Sequence, residues 1–173
     1  MATAIEQADV LPEFGFTVIA SHPRGNDARY SDDVAESLFE AGCDDCTPGI
    51  CNGVWVIAFD REARNFSHAV ASAIRDVESA GLTVLRVEPD TYVNAAEIAE
   101  RLHVSREAVR KWLRSSPDAP PPPPPAIGAS GPSPLYDWPR FLRWLRRRHP
   151  ERVPTSLIVQ GRVIARFNAR LGA

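Results

Sequence analysis

The most informative segment of the chain is residues 94–115, N-A-A-E-I-A-E-R-L-H-V-S-R-E-A-V-R-K-W-L-R-S. Asn94 is a preferred helix N-cap, and apolar residues follow it at helical spacing at Ile98, Ala99 and Leu102. Ser105 predicts a second N-cap, which is followed by an inward set of Ala108, Val109, Trp112 and Leu113. The pattern therefore predicts two short helices that are joined by a tight turn and cross at a steep angle.

The positions of the second helix that do not point inward form its outward face. It carries four cations and one carboxylate, namely Arg106, Glu107, Arg110, Lys111 and Arg114. Arginine grips guanine O6 and N7 bidentately in the major groove, whereas Ser and Lys near a helix start suit phosphate oxygens. A merely solvated helix face would have a similar composition, but the inward pattern and the basic character of this half of the chain favour DNA binding.

The formal net charge of −2 for the 173 residues hides a strong internal asymmetry. Residues 1–94 contain six Arg, no Lys and 16 acidic residues, whereas residues 95–173 contain 14 basic and six acidic residues. Two modules with different partners are therefore expected, the basic one being suited to a polyanion. We expect an acidic domain over residues 1–92, a basic helix-turn-helix domain over residues 93–150, and a C-terminal amphipathic helix over residues 151–173.

The proline-rich segment at residues 117–134 is predicted to be a loop, because it holds nine of the 16 prolines. Its unbroken run at residues 120–125 favours the stiff polyproline II conformation. A stiff insertion in a wing that follows the second helix is favoured over the alternative, a ligand for an SH3-like domain.

In the remainder of the basic half, the sequence predicts a short extended segment at residues 135–138, in which the chain returns from the loop, and a helix at residues 139–149. The cluster of Arg146, Arg147 and Arg148 at the end of that helix suits phosphate contacts, or it simply neutralises the negative end of the helix dipole. The apolar stripe of residues 154–171 predicts a helix that either packs on its own domain or pairs with a second chain.

The acidic half reads as a strand at residues 14–20, a helix at 32–42, a hairpin around Asn52-Gly53, a helix at 67–80 and a strand at 83–88. An Asn-Gly pair is a strong hairpin signal because both turn positions need a positive φ. The resulting β-α-β-β-α-β order predicts a ferredoxin-like sandwich, so that the whole chain belongs to the α+β class.

The segment A-A-E-I-A-E-R-L-x-V-S-R-E-A-V-R-K-W-L, with the returning L-Y-D-W-P-R-F-L-R-W-L, resembles winged helix-turn-helix regulators of the MerR and phage-excisionase type. It is also similar to a group of actinobacterial DNA-binding proteins that place such a module behind a small α/β domain. The resemblance implies that the second helix enters the major groove with Ser105, Arg106 and Arg110 facing the groove, and that the following loop is a wing on the phosphates. His103 stands where the motif usually has Gly in a left-handed conformation.

The expected function is that of a sequence-specific, double-stranded DNA-binding transcriptional regulator with its recognition helix at residues 105–115. The acidic domain would then serve dimerisation, partner contact or sensing, and a homodimer is expected because one helix-turn-helix reads only a half-site. The alternative is an antitoxin or protein-binding adaptor, whose acidic domain neutralises a basic partner protein and whose DNA binding only regulates its own operon.

Enzymatic chemistry and cofactors are not expected, because the chain has no GxGxxG, no P-loop and no supported catalytic triad. Cys43, Cys46 and Cys51 begin with a zinc-type spacing but lack a fourth ligand, so ordinary thiols are favoured over zinc. Neither a run of about 18 apolar residues nor a signal peptide is evident, and a cytoplasmic protein without membrane contact is therefore expected.

Overall fold

The computed structural model describes residues 11–25, 31–114 and 120–172 of a mixed α+β chain. The chain divides into two compact units, Met1–Val87 and Glu88–Ala173, five residues before the predicted boundary. With this division the first unit has six Arg against 14 acidic residues, and the second has 14 basic against eight acidic residues. The charge asymmetry therefore belongs to the units themselves. Residues 115–119, with the end of the predicted recognition helix and the start of the predicted wing, lie outside the described residues.

The first unit contains every strand and helix predicted for it, with ends that differ from the predicted ones by at most three residues. The elements are β1 (Glu13–Ser21), α1 (Ser31–Glu40), β2 (Cys46–Cys51), β3 (Val54–Glu62), α2 (Phe66–Ser79) and β4 (Thr83–Glu88). The strands form one sheet in the order β2-β3-β1-β4. β3 lies in the middle and runs antiparallel to both β1 and β2. At the β2–β3 turn, Asn52 has φ 50° and Gly53 has φ 74°, which confirms the predicted hairpin.

Alternation along β3 places the core of this unit on one face of the sheet. Trp55, Ile57 and Phe59 are buried there. The Phe59 ring stacks on that of Phe16 with centroids 5.4 Å apart. α2 begins at the cap of Asn65, whose side chain accepts a hydrogen bond from the backbone N–H of His68, and α2 buries an apolar stripe of Phe66, Ala69, Val70, Ala73 and Val77.

A buried charge cluster around Arg61 ties this sheet to α2 and to the turn before β2. Arg61 is 6% exposed. Its Nε and Nη2 donate to the two carboxylate oxygens of Asp45 at 2.7 and 2.9 Å, and its Nη1 donates to Asp76 Oδ2 at 2.7 Å. Ser72 Oγ and the carbonyl of Gly42 accept further hydrogen bonds. The hydrogen bond to Asp45, aided by Asp76, raises the pKa of Arg61 against the effect of burial.

The second unit is mainly helical. It contains β5 (Tyr92–Val93), α3 (Ala95–Arg101), α4 (Arg106–Leu113), β6 (Tyr136–Asp137), α5 (Trp138–Arg148), a 3-10 turn at Pro150–Arg152 and α6 (Thr155–Leu171). β5 and β6 pair antiparallel, with Val93 opposite Tyr136. The Trp138 N–H donates to the Thr91 carbonyl at 2.8 Å. The extended segment predicted at residues 135–138 therefore pairs with a second strand, β5, which the sequence did not predict.

The core of the second unit lies where α3, α4 and α5 meet. Its fully buried side chains are Ile98, Val109, Phe141, Leu142 and Leu145. α6 packs on α5. A Cβ at the buried Gly161 would lie 3.4 Å from Trp138 Cδ1, at van der Waals distance, so the two helices pass close to each other at this point. Of the two alternatives for the C-terminal helix, packing on its own unit is observed. Within the described ranges, no helix combines the length and apolar character needed to cross a membrane.

We expect that replacing Arg61 by Met destabilises the first unit by about 3–5 kcal/mol, because Asp45 and Asp76 then lose their shared partner. Arg75 is the matched control, since it also pairs with Asp76 but is 73% exposed at its side chain. Its replacement by Ala should cost less than about 1 kcal/mol. Hydrogen exchange of the β3 amides measures both values in the intact chain. Equal protection in the two variants would contradict a central role for Arg61.

Candidate nucleic-acid interface

The start of α3 is fixed by a capping box. The Asn94 side chain accepts hydrogen bonds from the backbone N–H groups of Ala96 and Glu97 at 2.8 and 3.0 Å. The Glu97 carboxylate in turn accepts one from the Asn94 N–H at 2.7 Å. These reciprocal bonds satisfy backbone groups that would otherwise lack partners at the helix end, so the predicted role of Asn94 as a cap is confirmed.

The turn after α3 has the hydrogen bonds of a Schellman motif. The N–H of Val104 donates to the Ala99 carbonyl at 2.9 Å, and the N–H of His103 donates to the Glu100 carbonyl at 3.0 Å. His103 has φ 51°, the left-handed conformation expected at the position that usually holds Gly. The turn therefore keeps the geometry of a glycine turn, although its residue has a side chain.

α4 follows at once, because Ser105 caps it. The Ser105 hydroxyl accepts a hydrogen bond from the Ala108 N–H at 3.1 Å. Val109 is fully buried, whereas Trp112 and Leu113 pack half-buried against the same core. The inward face predicted for this helix is therefore confirmed, and its opposite face is turned to solvent.

The structure places all the predicted α4 site residues on one exposed surface, which consists of Ser105, Arg106, Glu107, Arg110, Lys111 and Arg114. Within this set, Arg110 Nη1 and Glu107 Oε2 lie 3.9 Å apart, with side chains 68% and 54% exposed. At that distance and exposure the pair is weak. The guanidinium of Arg110 can therefore exchange Glu107 for another acceptor at little cost.

The three arginines of the predicted Arg146–Arg148 cluster lie in different environments on α5. Arg147 is exposed, whereas Arg146 and Arg148 are half-buried. Arg148 lies over the Trp144 ring at 5.2 Å and donates to the Pro120 carbonyl at 3.4 Å. Arg148 therefore holds the proline-rich segment in place, and Arg147 remains the most accessible of the three.

Two exposed arginines that were not among the predicted site residues lie beside Arg147. Arg140 and Arg143 line the same groove of about 360 Å³ as Arg147, which Trp144 and residues 121–124 also line. The signal that could have identified them is their spacing, since positions 140, 143 and 147 recur at helical intervals on one face. The resulting arginine row, Arg140, Arg143 and Arg147, is a concave cationic surface.

The proline-rich segment consists of two parts in the described region. Residues 121–124 run along α5, where Pro123 is buried, and Trp144 Nε1 donates to the Pro120 carbonyl at 3.3 Å. Ile127 and Leu135 then form a β-bridge that closes an exposed loop over residues 128–134. That loop contains no charged residue. A contact of this predicted wing with phosphates would therefore depend on its backbone N–H groups and on the hydroxyls of Ser130 and Ser133.

The groove beside the α3–α4 turn contains further cations. Lys111 of α4 lies there with Arg152, and the rings of Trp112 and His149 are 5.7 Å apart. Arg152 is exposed and was not among the predicted site residues. This groove places a second positive group next to the N-terminal half of α4.

The three cysteines do not converge on one point. Cys43 is buried before β2, Cys46 begins that strand and Cys51 ends it. Five strand steps separate Cys46 from Cys51 by roughly 17 Å. Among the described residues, no group of three His, Cys, Asp or Glu side chains is arranged to hold a metal ion. The geometry therefore gives no support to the zinc alternative.

One edge of the first unit concentrates exposed carboxylates. Glu13 on β1 lies directly opposite Glu62 on β3, and both are exposed. Asp44 and Asp60 are exposed in the same concave region. Like charges directly opposite each other across two strands are unfavourable, so this edge is a surface that a cationic group would stabilise.

We expect that His103→Gly raises the free energy of unfolding of the second unit by about 0.5–1 kcal/mol, because Gly adopts a positive φ without the steric cost of a Cβ. His103→Val should lower it, since a β-branched side chain is least tolerated there. Glu100→Gly, at an exposed helical position of α3, is the control and should be destabilising by about 1 kcal/mol. Urea unfolding followed by tryptophan fluorescence measures all three; a destabilised His103→Gly chain would contradict the strained-turn interpretation.

No protein-family model matches the chain, and neither a curated protein nor a solved structure matches it. Function has to be inferred from the geometry and charge of the chain itself.

Proposed function

We propose that this protein is a sequence-specific, double-stranded DNA-binding transcriptional regulator. The supporting observation is the α3–turn–α4 unit, whose two caps and positive-φ turn present one continuous, exposed cationic face. A helix-turn-helix uses its second helix in this way, with the N-terminal residues of that helix at the base edges. α4 is accordingly the recognition helix of a MerR-like module.

Base contacts are assigned to the exposed guanidinium groups of α4. Arg106 and Arg110 lie four residues apart, on one helix face and one turn apart. Each can reach the O6 and N7 of a guanine, which is the commonest specific contact in the major groove. Ser105 and Lys111 suit the flanking phosphates.

Phosphate contacts outside α4 are assigned to the arginine row of α5. Arg140, Arg143 and Arg147 are exposed along one helix and line one groove. A row of cations on a rigid helix matches a phosphate backbone and carries no sequence information of its own. The neutral loop at residues 128–134 plays the part of the wing through its backbone N–H groups and the hydroxyls of Ser130 and Ser133.

The acidic first unit is assigned the ferredoxin-like architecture, which the element order and the strand order β2-β3-β1-β4 support. Its role in the proposed regulator is dimerisation, partner contact or sensing. A homodimer would align two recognition helices with two half-sites about one helical turn of DNA apart. We place the working protein in the cytoplasm, where its DNA lies.

A second candidate function, an antitoxin or protein-binding adaptor, is favoured by one observation, the opposed carboxylates at the edge of the first unit. A basic partner protein seated on that edge would relieve the repulsion between Glu13 and Glu62. DNA binding by the second unit would then serve autoregulation.

Arg110→Ala should lose about 1–3 kcal/mol of affinity for a preferred site and relax specificity at one base pair, because a base contact is removed. Arg147→Ala should weaken binding to all sequences alike and reduce the slope of log affinity against log salt by about 0.9, because one phosphate contact is lost. Fluorescence anisotropy on a preferred duplex and a scrambled duplex, over a salt series, distinguishes the two.

Arg64→Ala is the charge-matched control for both variants, since Arg64 is exposed in the first unit outside the proposed interface. It should leave the affinity for both duplexes within twofold of the original. If Arg110→Ala and Arg147→Ala lower the affinity for preferred and scrambled DNA equally, Arg110 is not a base-reading residue.

We further expect that Glu62→Lys raises the free energy of unfolding of the first unit by about 0.2–1 kcal/mol, because a cross-strand ion pair with Glu13 replaces a repulsion. Hydrogen exchange of β1 and β3 amides measures the change. The gain should shrink at high salt, where screening weakens both the repulsion and the new pair. A loss of protection at low salt would show that the carboxylates at this edge are not in conflict.

A further inference from the structure

Cys43 and Cys46 lie at the two ends of one turn between α1 and β2. Asp44 and Asp45 form the turn, and Cys46 begins β2 opposite Phe59. The Cys43 N–H donates to the Leu38 carbonyl at 2.9 Å, which fixes the first end of the turn against α1. A β-turn holds the Cα atoms of its first and fourth residues within about 7 Å, and disulfides span Cα separations of about 4.4–6.8 Å. The backbone therefore already holds the two residues at the separation that a disulfide requires.

The second end of the turn is fixed by the buried Arg61. Its guanidinium binds the Asp45 carboxylate through two hydrogen bonds at 2.7 and 2.9 Å, and it also donates to the Gly42 carbonyl at 3.2 Å. These contacts lie on either side of Cys43, at the residue before it and at the residue before Cys46. Hydrogen bonds from Arg61 therefore hold the backbone next to each of the two cysteines.

The two thiols differ in exposure and in acidity. Cys43 is 3% exposed, whereas Cys46 is only partly buried. The Cys43 thiol donates a hydrogen bond to the Cys46 sulfur, and this bond, aided by the Arg61 charge, lowers the pKa of Cys46 below its ordinary value against the opposing effects of burial and of the Asp45 carboxylate. The same bond, together with burial, raises the pKa of Cys43. An accessible thiol of lowered pKa next to a buried one is the arrangement of an attacking and a resolving cysteine.

We propose that Cys43 and Cys46 form a redox-active dithiol that a hydroperoxide converts reversibly to a disulfide. The Cys46 thiolate attacks the terminal hydroperoxide oxygen, the O–O bond breaks, and the alcohol or water leaves with a proton, so that Cys46 becomes a sulfenic acid. The Cys43 thiol then attacks that sulfur; the S–S bond forms, the S–O bond breaks and water leaves with the Cys43 proton. The two thiols supply the two electrons that reduce one hydroperoxide molecule.

Cys51 is the internal control for this site. It lies at the far end of β2, is exposed, and has no place in the turn. Its exposure exceeds that of Cys46, so accessibility alone would make Cys51 the first thiol to be oxidised. The proposal requires the opposite order, and it is independent of the proposed DNA binding.

The test uses the full chain, reduced and then exposed to hydrogen peroxide, with free thiols counted and the intact mass measured over time. The Cys51→Ser chain should lose both thiols and the mass of two hydrogen atoms as a monomer, and dithiothreitol should restore both. Thiol loss in this chain should be at least about tenfold faster than in the Cys46→Ser chain, which retains the buried Cys43 and the exposed Cys51. The Cys43→Ala chain should gain one oxygen atom at Cys46 instead, as a sulfenic acid that dimedone traps.

The Cys51→Ser chain keeps Cys43, Cys46 and the core unchanged. Its result therefore tests the proposal even if a substitution at Cys43 prevents folding. Retention of both thiols in that chain, disulfide-linked dimers in place of the internal disulfide, or faster oxidation of Cys51 than of Cys46 in the unaltered chain would each overturn the proposal.

Discussion

The arrangement of the cationic surface depends on the burial of Val109. This side chain is fully buried in a core that α5 shares, so α4 has one rotational setting about its axis. Because residues four apart share a face, that setting turns Arg106 and Arg110 to solvent together. A helix of eight residues has little stability of its own, and the packing of one face is what holds the other in a fixed position.

The neighbouring constraints all serve to hold α4 on that core. The caps of Asn94 and Ser105 and the positive φ of His103 set the angle between α3 and α4. The β5–β6 pair brings the chain back, so that α5 starts beside the start of α3. α6 then supports α5 through the close approach at Gly161. The arginine row of α5 is therefore carried by a helix that is held on two sides.

In the first unit the contact with the corresponding role is a buried cluster of ion pairs, not an apolar contact. Arg61 collects two carboxylates from the turn before β2 and from α2. A buried guanidinium with its carboxylate partners in place is tolerated, whereas loss of Arg61 would leave the carboxylates of Asp45 and Asp76 without their shared partner. The same cluster holds the turn that carries Cys43 and Cys46, so the chemistry of the thiols and the stability of the sheet depend on the same residue.

The sequence correctly predicted turns and helix caps, because these depend only on residues close together in the chain. Asn52-Gly53, Asn94 and Ser105 each act within a few positions, and their turns and caps are found as predicted. The pairing of Val93 with Tyr136 has no comparable signal, because each strand has only two residues and the partners are far apart in the chain. The packing of residues 121–124 on Trp144 is similarly non-local. Arg61 could have been identified, since it continues the alternation of Trp55, Ile57 and Phe59 and so had to point inward.

Selection from a random pool of duplexes with the full chain tests most directly whether α4 reads DNA sequence. We expect successive rounds to enrich one short motif containing guanines at adjacent positions, repeated as two symmetric half-sites if the working species is a homodimer. A pool that keeps its starting composition after several rounds, although protein-bound DNA is recovered each time, would contradict the claim and leave only charge-driven association.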